Sequence, residues 1–592
     1  MMPARVWMAV RDWATARDWA TARVWVRLRR PLSVLGVTML VLAAVGVPEA
    51  AKAWSVGAGA PALSAAAGRQ VHGGVLDGRP VVPPALGCAQ LAGLDLAGMT
   101  GLGVSIASAT ATSVTPGGWA ACDVRGVIAP QVQFQALLPT STWRQLYLQT
   151  GCGGFCGSVS ISAPASTGCA PLTDGQFVLA SDNEGHYGTA PFDGTFGADP
   201  ELRADFGYRS EHKLAVLMKQ LIKIFYGRPA ARSFYDGCSQ GGHEGLMEAQ
   251  QYPRDFDGIV SGAPAHITQP LNVWYQAWNA LANLGPDGQP ILTAGKVAVL
   301  HRAAVKACGA ANGLIMDPMV CQFDPGSIRC AATATDTASC LSAEEVGAAR
   351  KLYAGPRDER GRLMYPGWQV PGSELEWVPW VVPAAPGGFT IDPVIALNAI
   401  RYLAYPGINP KLGLKDVPFT EAGFRQIMKA TSGIFDATNP DLSAFRNAGG
   451  KLLLWHGLAD PAISPIGTIA YYQAVEDQMG GPKATQKFAR LFLMPGMAHC
   501  AGGQGPSSFD ALSAIVDWVE RGKAPDSLLT SQPSGSTNPV RSLPAYPYPL
   551  MATYNGTGNV NVASSYHAAP PPVPFDAHVA WLGKFSPVNP RH

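Results

Sequence analysis

Apolar residues along this 592-residue chain fall into short runs, separated by polar turns and by stretches with helical spacing. Gln131-Val132-Gln133-Phe134-Gln135-Ala136-Leu137-Leu138-Pro139 alternates at period two, which predicts a strand with one buried face. From Gly87 to that point the pattern predicts short strands and turns, the antiparallel leading part of a sheet. Further runs are mainly apolar throughout: Gln145 to Thr150, Phe177 to Asp182, Ser233 to Tyr235, Gly258 to Pro264, Lys451 to Trp455 and Phe488 to Met494. Such runs predict strands covered on both faces, as in a parallel sheet. Ser210 to Tyr226 places Leu214, Leu217, Leu221, Ile222 and Phe225 on one helical stripe. Strands alternating with helices define an α/β class, a mostly parallel central sheet flanked by helices. The interval from Ala265 to Ser443 is too long for a loop and predicts an inserted lid domain. The core is then split into residues 87–264 and 444–592, preceded by a poorly structured segment, 54–86.

Several strand ends carry chemistry. Ser239 lies in Gly237-Cys238-Ser239-Gln240-Gly241, after the Ser233–Tyr235 run and before a helix-like stretch. Glycines two residues to either side let the backbone turn sharply and push the hydroxyl outward. The chain holds 66 glycines, so the pattern carries little by itself and its setting supplies the rest. The Lys451 strand runs into His456-Gly457-Leu458-Ala459-Asp460, and the Phe488 strand into Pro495-Gly496-Met497-Ala498-His499-Cys500. Serine, aspartate and histidine in that order, each after a strand, match the α/β-hydrolase fold rather than the other common serine-hydrolase architectures. His456 is a rival base, Asp182 and Glu184 rival acids and Cys238 a rival nucleophile; strand-end position and chain order favour His499, Asp460 and Ser239. The strand at 145–150 feeds Gly151-Cys152-Gly153-Gly154-Phe155-Cys156-Gly157. That loop lacks the lysine and helix start of a phosphate-binding loop. It suits an oxyanion hole, with an amide of Gly153 or Gly154 opposite the backbone N–H of Gln240.

Composition narrows the setting. With 47% hydrophobic and 15% charged residues the chain is globular. Its first 53 residues hold 8 Lys+Arg against 3 Asp+Glu, leaving 36 against 39 on a body with no electrostatic case for nucleic acid. Arg27, Arg29 and Arg30, the apolar stretch Leu32 to Val47 and Ala51-Lys52-Ala53 predict a signal peptide over 1–53. The product is then secreted or periplasmic, with no membrane attachment after cleavage; an uncleaved anchor is the alternative. Eleven cysteines fit an oxidising destination, and none of their spacings is that of a zinc site, so no metal ligands are expected.

Gly-Cys-Ser-x-Gly-Gly at Gly237 to Gly242, His-Gly-x-x-Asp at His456 to Asp460 and Gly-Met-x-His-Cys at Gly496 to Cys500 together resemble the tannase and feruloyl esterase family, over roughly Cys88 to Ser586. The resemblance implies a serine esterase needing no catalytic cofactor, with a small aromatic or plant phenolic ester as substrate and a feruloyl, galloyl or terephthaloyl acyl group. It implies a bridge between Cys238 and Cys500, which also follows from the proximity that Ser239 and His499 need. Cys88 with Cys122, Cys308 with Cys321 and Cys330 with Cys340 are further bridges implied by the family. One more bridge is expected among Cys152, Cys156 and Cys169, with the pair left open.

By the same resemblance His456 and Ile463 touch substrate. Ile463 is aliphatic where the family's terephthalate monoester hydrolase has an aromatic residue, which favours plant phenolic esters. The family's lid usually holds a structural calcium just after the first lid cysteine. Here the stretch Cys308 to Asp317 is short and has one carboxylate, against the roughly six to eight oxygens calcium takes, so tight binding is not expected. Trp274, Trp278, Trp368, Trp377 and Trp380 either face a flat aromatic acyl group or fill the lid's own core. A damaged triad would mark a silent hydrolase-fold binding protein; here all three residues are present.

Overall fold

The computed structural model describes residues 78–115 and 117–585; the predicted signal peptide lies outside them. The chain forms β1 (Val104–Val114), β2 (Trp119–Ile128), β3 (Val132–Pro139), β4 (Leu146–Thr150), β5 (Phe177–Asp182), β6 (Arg232–Cys238), β7 (Gly258–Gly262), β8 (Lys451–Gly457) and β9 (Ala489–Met494). These make one sheet in the order β1-β2-β3-β5-β4-β6-β7-β8-β9. β1 to β3 and the β3–β5 pair are antiparallel, whereas β5, β4, β6, β7, β8 and β9 run parallel. The fold is that of an α/β-hydrolase. Its leading part differs from the short strands expected: β1 has 11 residues and β2 has 10, joined as a long hairpin. β1 is an edge strand with little buried surface, Ser, Thr and Ala throughout apart from Val104, Ile106 and Val114, so its apolar alternation is too weak to mark a long strand in sequence.

Successive side chains on a strand point to opposite faces, and both faces here are covered. Tyr235, Ile259, Leu452 and Leu454 pack with Leu214, Leu221, Leu246 and Ile469 from the helices Ser210–Tyr226, Gln240–Gln251 and Pro465–Gln478. Phe234, Val260, Leu453 and Trp455 pack with Leu512 and Ile515 of the helix Ala511–Arg521. Burial on both sides is the reason the strand sequences are apolar without alternation. The interval between β7 and β8 adds no strand to this sheet, and carries apolar clusters such as Leu300, Val346, Leu352 and Trp377. Residues 78–86 have no helix or strand, yet Val82 N–H donates to Trp143 O, Ala85 N–H to Phe225 O, and Arg79 pairs with Glu520. Among the described residues, no helix is long and apolar enough to cross a membrane.

Candidate active site

Parallel pairing aligns the C-terminal ends of β4, β6, β8 and β9 along one edge of the sheet. Ser239 follows β6 with φ 67° and ψ −120°, a conformation that L-residues rarely adopt. Its surroundings over-determine it: Ser239 N–H donates to Gly262 O, and Ser239 O accepts from His243 N–H and Ala265 N–H. The flanking glycines leave no room for a side chain. A Cβ on Gly237 would lie 2.5 Å from Gly241 O, and one on Gly242 would lie 2.3 Å from Gly262 O.

His499 Nε2 is 2.9 Å from Ser239 Oγ, and its Nδ1 is 2.7 Å from Asp460 Oδ2. Asp460 is 1% exposed, and its Oδ1 accepts the Ala462 and Ile463 amides, each at 2.9 Å. Burial pushes this carboxyl up, but the His499 and His456 rings outweigh burial and hold it well below the ordinary carboxylate range. The bridge between Cys238 and Cys500, with Cα atoms 5.9 Å apart, ties the serine turn to the histidine loop. Its formation also occupies the Cys238 sulfur, the alternative nucleophile.

His456 departs from its expected place on a pocket wall. It has no exposed surface; its Nδ1 is 2.8 Å from Thr468 Oγ1 and its Nε2 2.9 Å from Ile463 O and 3.2 Å from Asp460 Oδ2. One tautomer satisfies all three contacts: Nε2–H donates to Ile463 O and towards Asp460, while Nδ1 accepts the Thr468 hydroxyl. The ring braces Asp460 because its strand ends inside the core. Ile463 is buried as well, in an apolar cluster with Phe155, Tyr365, Trp377 and Trp380. Thr468 has no signal in the sequence, since its role depends on a ring 12 residues away.

Of the five tryptophans singled out between β7 and β8, Trp380 meets His499 in a T-shaped contact, with ring centroids 5.5 Å apart. Trp274 and Trp377 are fully buried and donate to Pro418 O and Ser373 Oγ, Trp278 donates to Lys351 O, and Trp368 packs on Phe575. The core reading fits these four.

The loop after β4 sits beside the serine turn because β4 pairs with β6, Thr150 opposite Asp236. Its amides at Gly151, Cys152, Phe155, Cys156 and Gly157 are all hydrogen-bonded, whereas those of Gly153 and Gly154 have no partner among the described residues. The Gln240 amide heads the helix Gln240–Gln251, where no intrahelical acceptor exists for it. Glu184, a rival acid, accepts from Gln240 Nε2 at 2.7 Å, away from His499. The open cysteine pairing resolves to Cys152 with Cys156, leaving Cys169 buried, its thiol pushed up to about 12 by burial. Cys88–Cys122, Cys308–Cys321 and Cys330–Cys340 are also at bonding distance.

In the loop after Cys308 several oxygens are hydrogen-bonded within the protein. Asn312 O accepts from Arg541 Nη2 at 2.8 Å, Asn312 Oδ1 from Leu314 N–H, and Ala310 O from Gly313 N–H. A guanidinium supplies positive charge to this turn.

A serine, an imidazole and a carboxylate lie in one hydrogen-bonded line at the carboxyl edge of a mostly parallel sheet, the arrangement of serine hydrolases with the α/β-hydrolase fold. The chain belongs to the tannase and feruloyl esterase family, whose model matches residues 114–569, and is a carboxylic ester hydrolase. It is 32% identical to the mono(2-hydroxyethyl) terephthalate hydrolase of Piscinibacter sakaiensis, over 76% of this chain and 85% of that one. It is 33% identical to a probable feruloyl esterase of Arthroderma benhamiae, over 64% of this chain and 70% of the relative. The crystal structure of feruloyl esterase B from Aspergillus oryzae superposes with a TM-score of 0.69 at 27% identity, covering 79% of this chain and 97% of that one.

Proposed function

We propose that the protein is a secreted esterase that hydrolyses esters of aromatic acids, feruloyl or galloyl, with Ser239 as nucleophile, His499 as base and Asp460 as its partner. The observation that carries this reading is the line Ser239–His499–Asp460, with contacts of 2.9 and 2.7 Å. His499 Nε2 takes the Ser239 proton as Oγ bonds to the ester carbonyl carbon, and the carbonyl π electrons move to its oxygen. The Gln240 amide and those of Gly153 and Gly154 receive that oxyanion, each donor contributing ~3 kcal/mol. His499 then returns the proton to the departing alcohol, and water releases the acid by the same route.

The Trp380 ring beside His499 supports an aromatic acyl group, as do the names of the relatives. Five bonded cysteine pairs support an oxidising compartment. The terephthalate relative favours a second reading, a terephthalate monoester hydrolase. Turnover of methyl ferulate, methyl gallate and a terephthalate monoester, each beside Ser239→Ala, tests both. Serine-dependent release from one ester identifies the acyl group. Release that survives Ser239→Ala, or none from any ester, rejects the reading.

A further inference from the structure

The loop proposed to hold the oxyanion contains two adjacent glycines, the backbone type with most freedom to lose. A hole made from such a loop needs something to hold it still, because a donor contributes fully only when it is oriented before charge develops. Three separate ties meet at Cys152. Its carbonyl accepts from Gly241 N–H at 2.7 Å, its N–H donates to Glu244 Oε2 at 3.3 Å, and its sulfur is bonded to Cys156. The first two partners belong to the helix that starts behind Ser239. The bridge closes a small ring around Gly153 and Gly154, so both ends of the glycine pair are fixed.

Glu244 is 3% exposed and its surroundings specify a neutral carboxyl. Oε2 accepts twice, from Tyr235 O–H at 2.5 Å and from Cys152 N–H. Oε1 faces Cys152 Sγ at 3.1 Å and Cys156 Sγ at 3.6 Å, and bonded sulfurs have no proton to give. A carboxylic acid fits, with its carbonyl on Oε2 and its O–H directed at sulfur; a carboxylate would place charge against lone pairs. Burial pushes Glu244 up to about 8, which agrees. The fit is tight: a Cβ on Gly151 would lie 2.1 Å from the Tyr235 hydroxyl and 2.4 Å from Glu244 Oε2.

We propose that Glu244 and the Cys152–Cys156 bridge are positioning residues, holding the Gly153 and Gly154 amides opposite the Gln240 amide for the oxyanion. The proposal rests on the serine-esterase reading and on placing the oxyanion at this loop. A neutral Glu244 supports the loop without setting negative charge behind a forming anion.

The test compares Glu244→Ala, Glu244→Gln and the double variant Cys152→Ser/Cys156→Ser with the unchanged enzyme on whichever ester it turns over. An arylboronic acid is the second probe, because its tetrahedral adduct on a serine puts a charged oxygen in the hole. Glu244→Ala and the double variant are expected to lower kcat roughly 10²-fold with KM within about threefold, and to weaken boronate inhibition in parallel. Glu244→Gln, which keeps a carbonyl for Oε2 and an N–H for the sulfurs, should recover most of that loss. Unchanged kcat and boronate affinity in Glu244→Ala and the folded double variant overturn the proposal; if the double variant does not fold, Glu244→Ala decides. A matched loss of thermal stability with no change in the boronate-to-KM ratio overturns it too. Ser239→Ala, run alongside, separates the failures: turnover that survives it rejects the esterase reading itself, whereas turnover lost there and kept in Glu244→Ala rejects only the positioning.

Discussion

Two carboxyl groups near the Ser239 turn are buried to nearly the same extent, and their surroundings favour opposite protonation states. Asp460 is 1% exposed and Glu244 is 3% exposed, and burial pushes both towards the neutral form. Their partners differ. Asp460 meets two imidazoles and two backbone amides, all donors, and stays anionic far below the ordinary range. Glu244 meets a phenol, one amide and two bonded sulfurs; burial, with Asp182 charge adding to it, pushes it towards the acid form. Partner chemistry, rather than depth, decides the sign. On the proposed mechanism each outcome suits its place: an anion beside the imidazole that would turn cationic, and a neutral group behind the loop proposed to receive the oxyanion.

The largest contrast comes from making the same change on both sides. Asp460→Asn should lower kcat by ~10⁴, the loss expected when the imidazole sits in the wrong tautomer. Glu244→Gln should stay within about fivefold, and steady-state kinetics of the two side by side would break the comparison if the losses were equal. Thr468→Val probes the donor side less severely. It leaves His456 Nδ1 without its hydroxyl and loosens the brace on Asp460, so kcat should fall about tenfold with KM unchanged.

Thermal unfolding against pH reads the opposite signs directly. The folded Glu244 carboxyl lies above its ordinary 4.5, so its contribution is complete below pH 4.5 and is lost as pH rises through about 8. Glu244→Gln should therefore gain Tm relative to the unchanged protein between pH 5 and 9. Asp460 lies below its ordinary 3.8, so its contribution is present above pH 3.8 and is lost on further acidification. Asp460→Asn should therefore narrow its Tm deficit below pH 4; a difference that does not vary with pH for either variant would reject the assigned charges. The smallest effect concerns a third charge, the Arg541 guanidinium that donates to the loop after Cys308. A chelator should leave Tm unchanged, while Arg541→Ala, which frees Asn312 O and Gln504 O, should lower it by about 2–4 °C.

Much of this site is legible in the chain itself. The β6, β8 and β9 sequences, apolar and followed by glycine turns, locate Ser239, Asp460 and His499, whose side chains come within hydrogen-bond reach. The glycine loop is legible as a place for exposed amides. Its support is not: Cys152 and Glu244 are 92 positions apart, and no local pattern links them. His456 misleads for a related reason. The family resemblance places it against substrate, whereas both its nitrogens are buried and hydrogen-bonded, which makes it a brace. β1 does not stand out as a long strand because its central residues, Ser, Thr and Ala on an exposed edge, carry little hydrophobic signal.

Local sequence suffices for the strands buried on both faces, the sharp turn at Ser239 and the order of the three strand-end residues. Each follows from side-chain periodicity, glycine's conformational range or position along the chain. Three-dimensional packing was needed to bond Cys152 to Cys156, to turn His456 towards Asp460, and to shift two buried carboxyls, Asp460 and Glu244, in opposite directions. Charge in the interior depends on which donors and acceptors the fold brings within about 3 Å, and those come from distant parts of the chain.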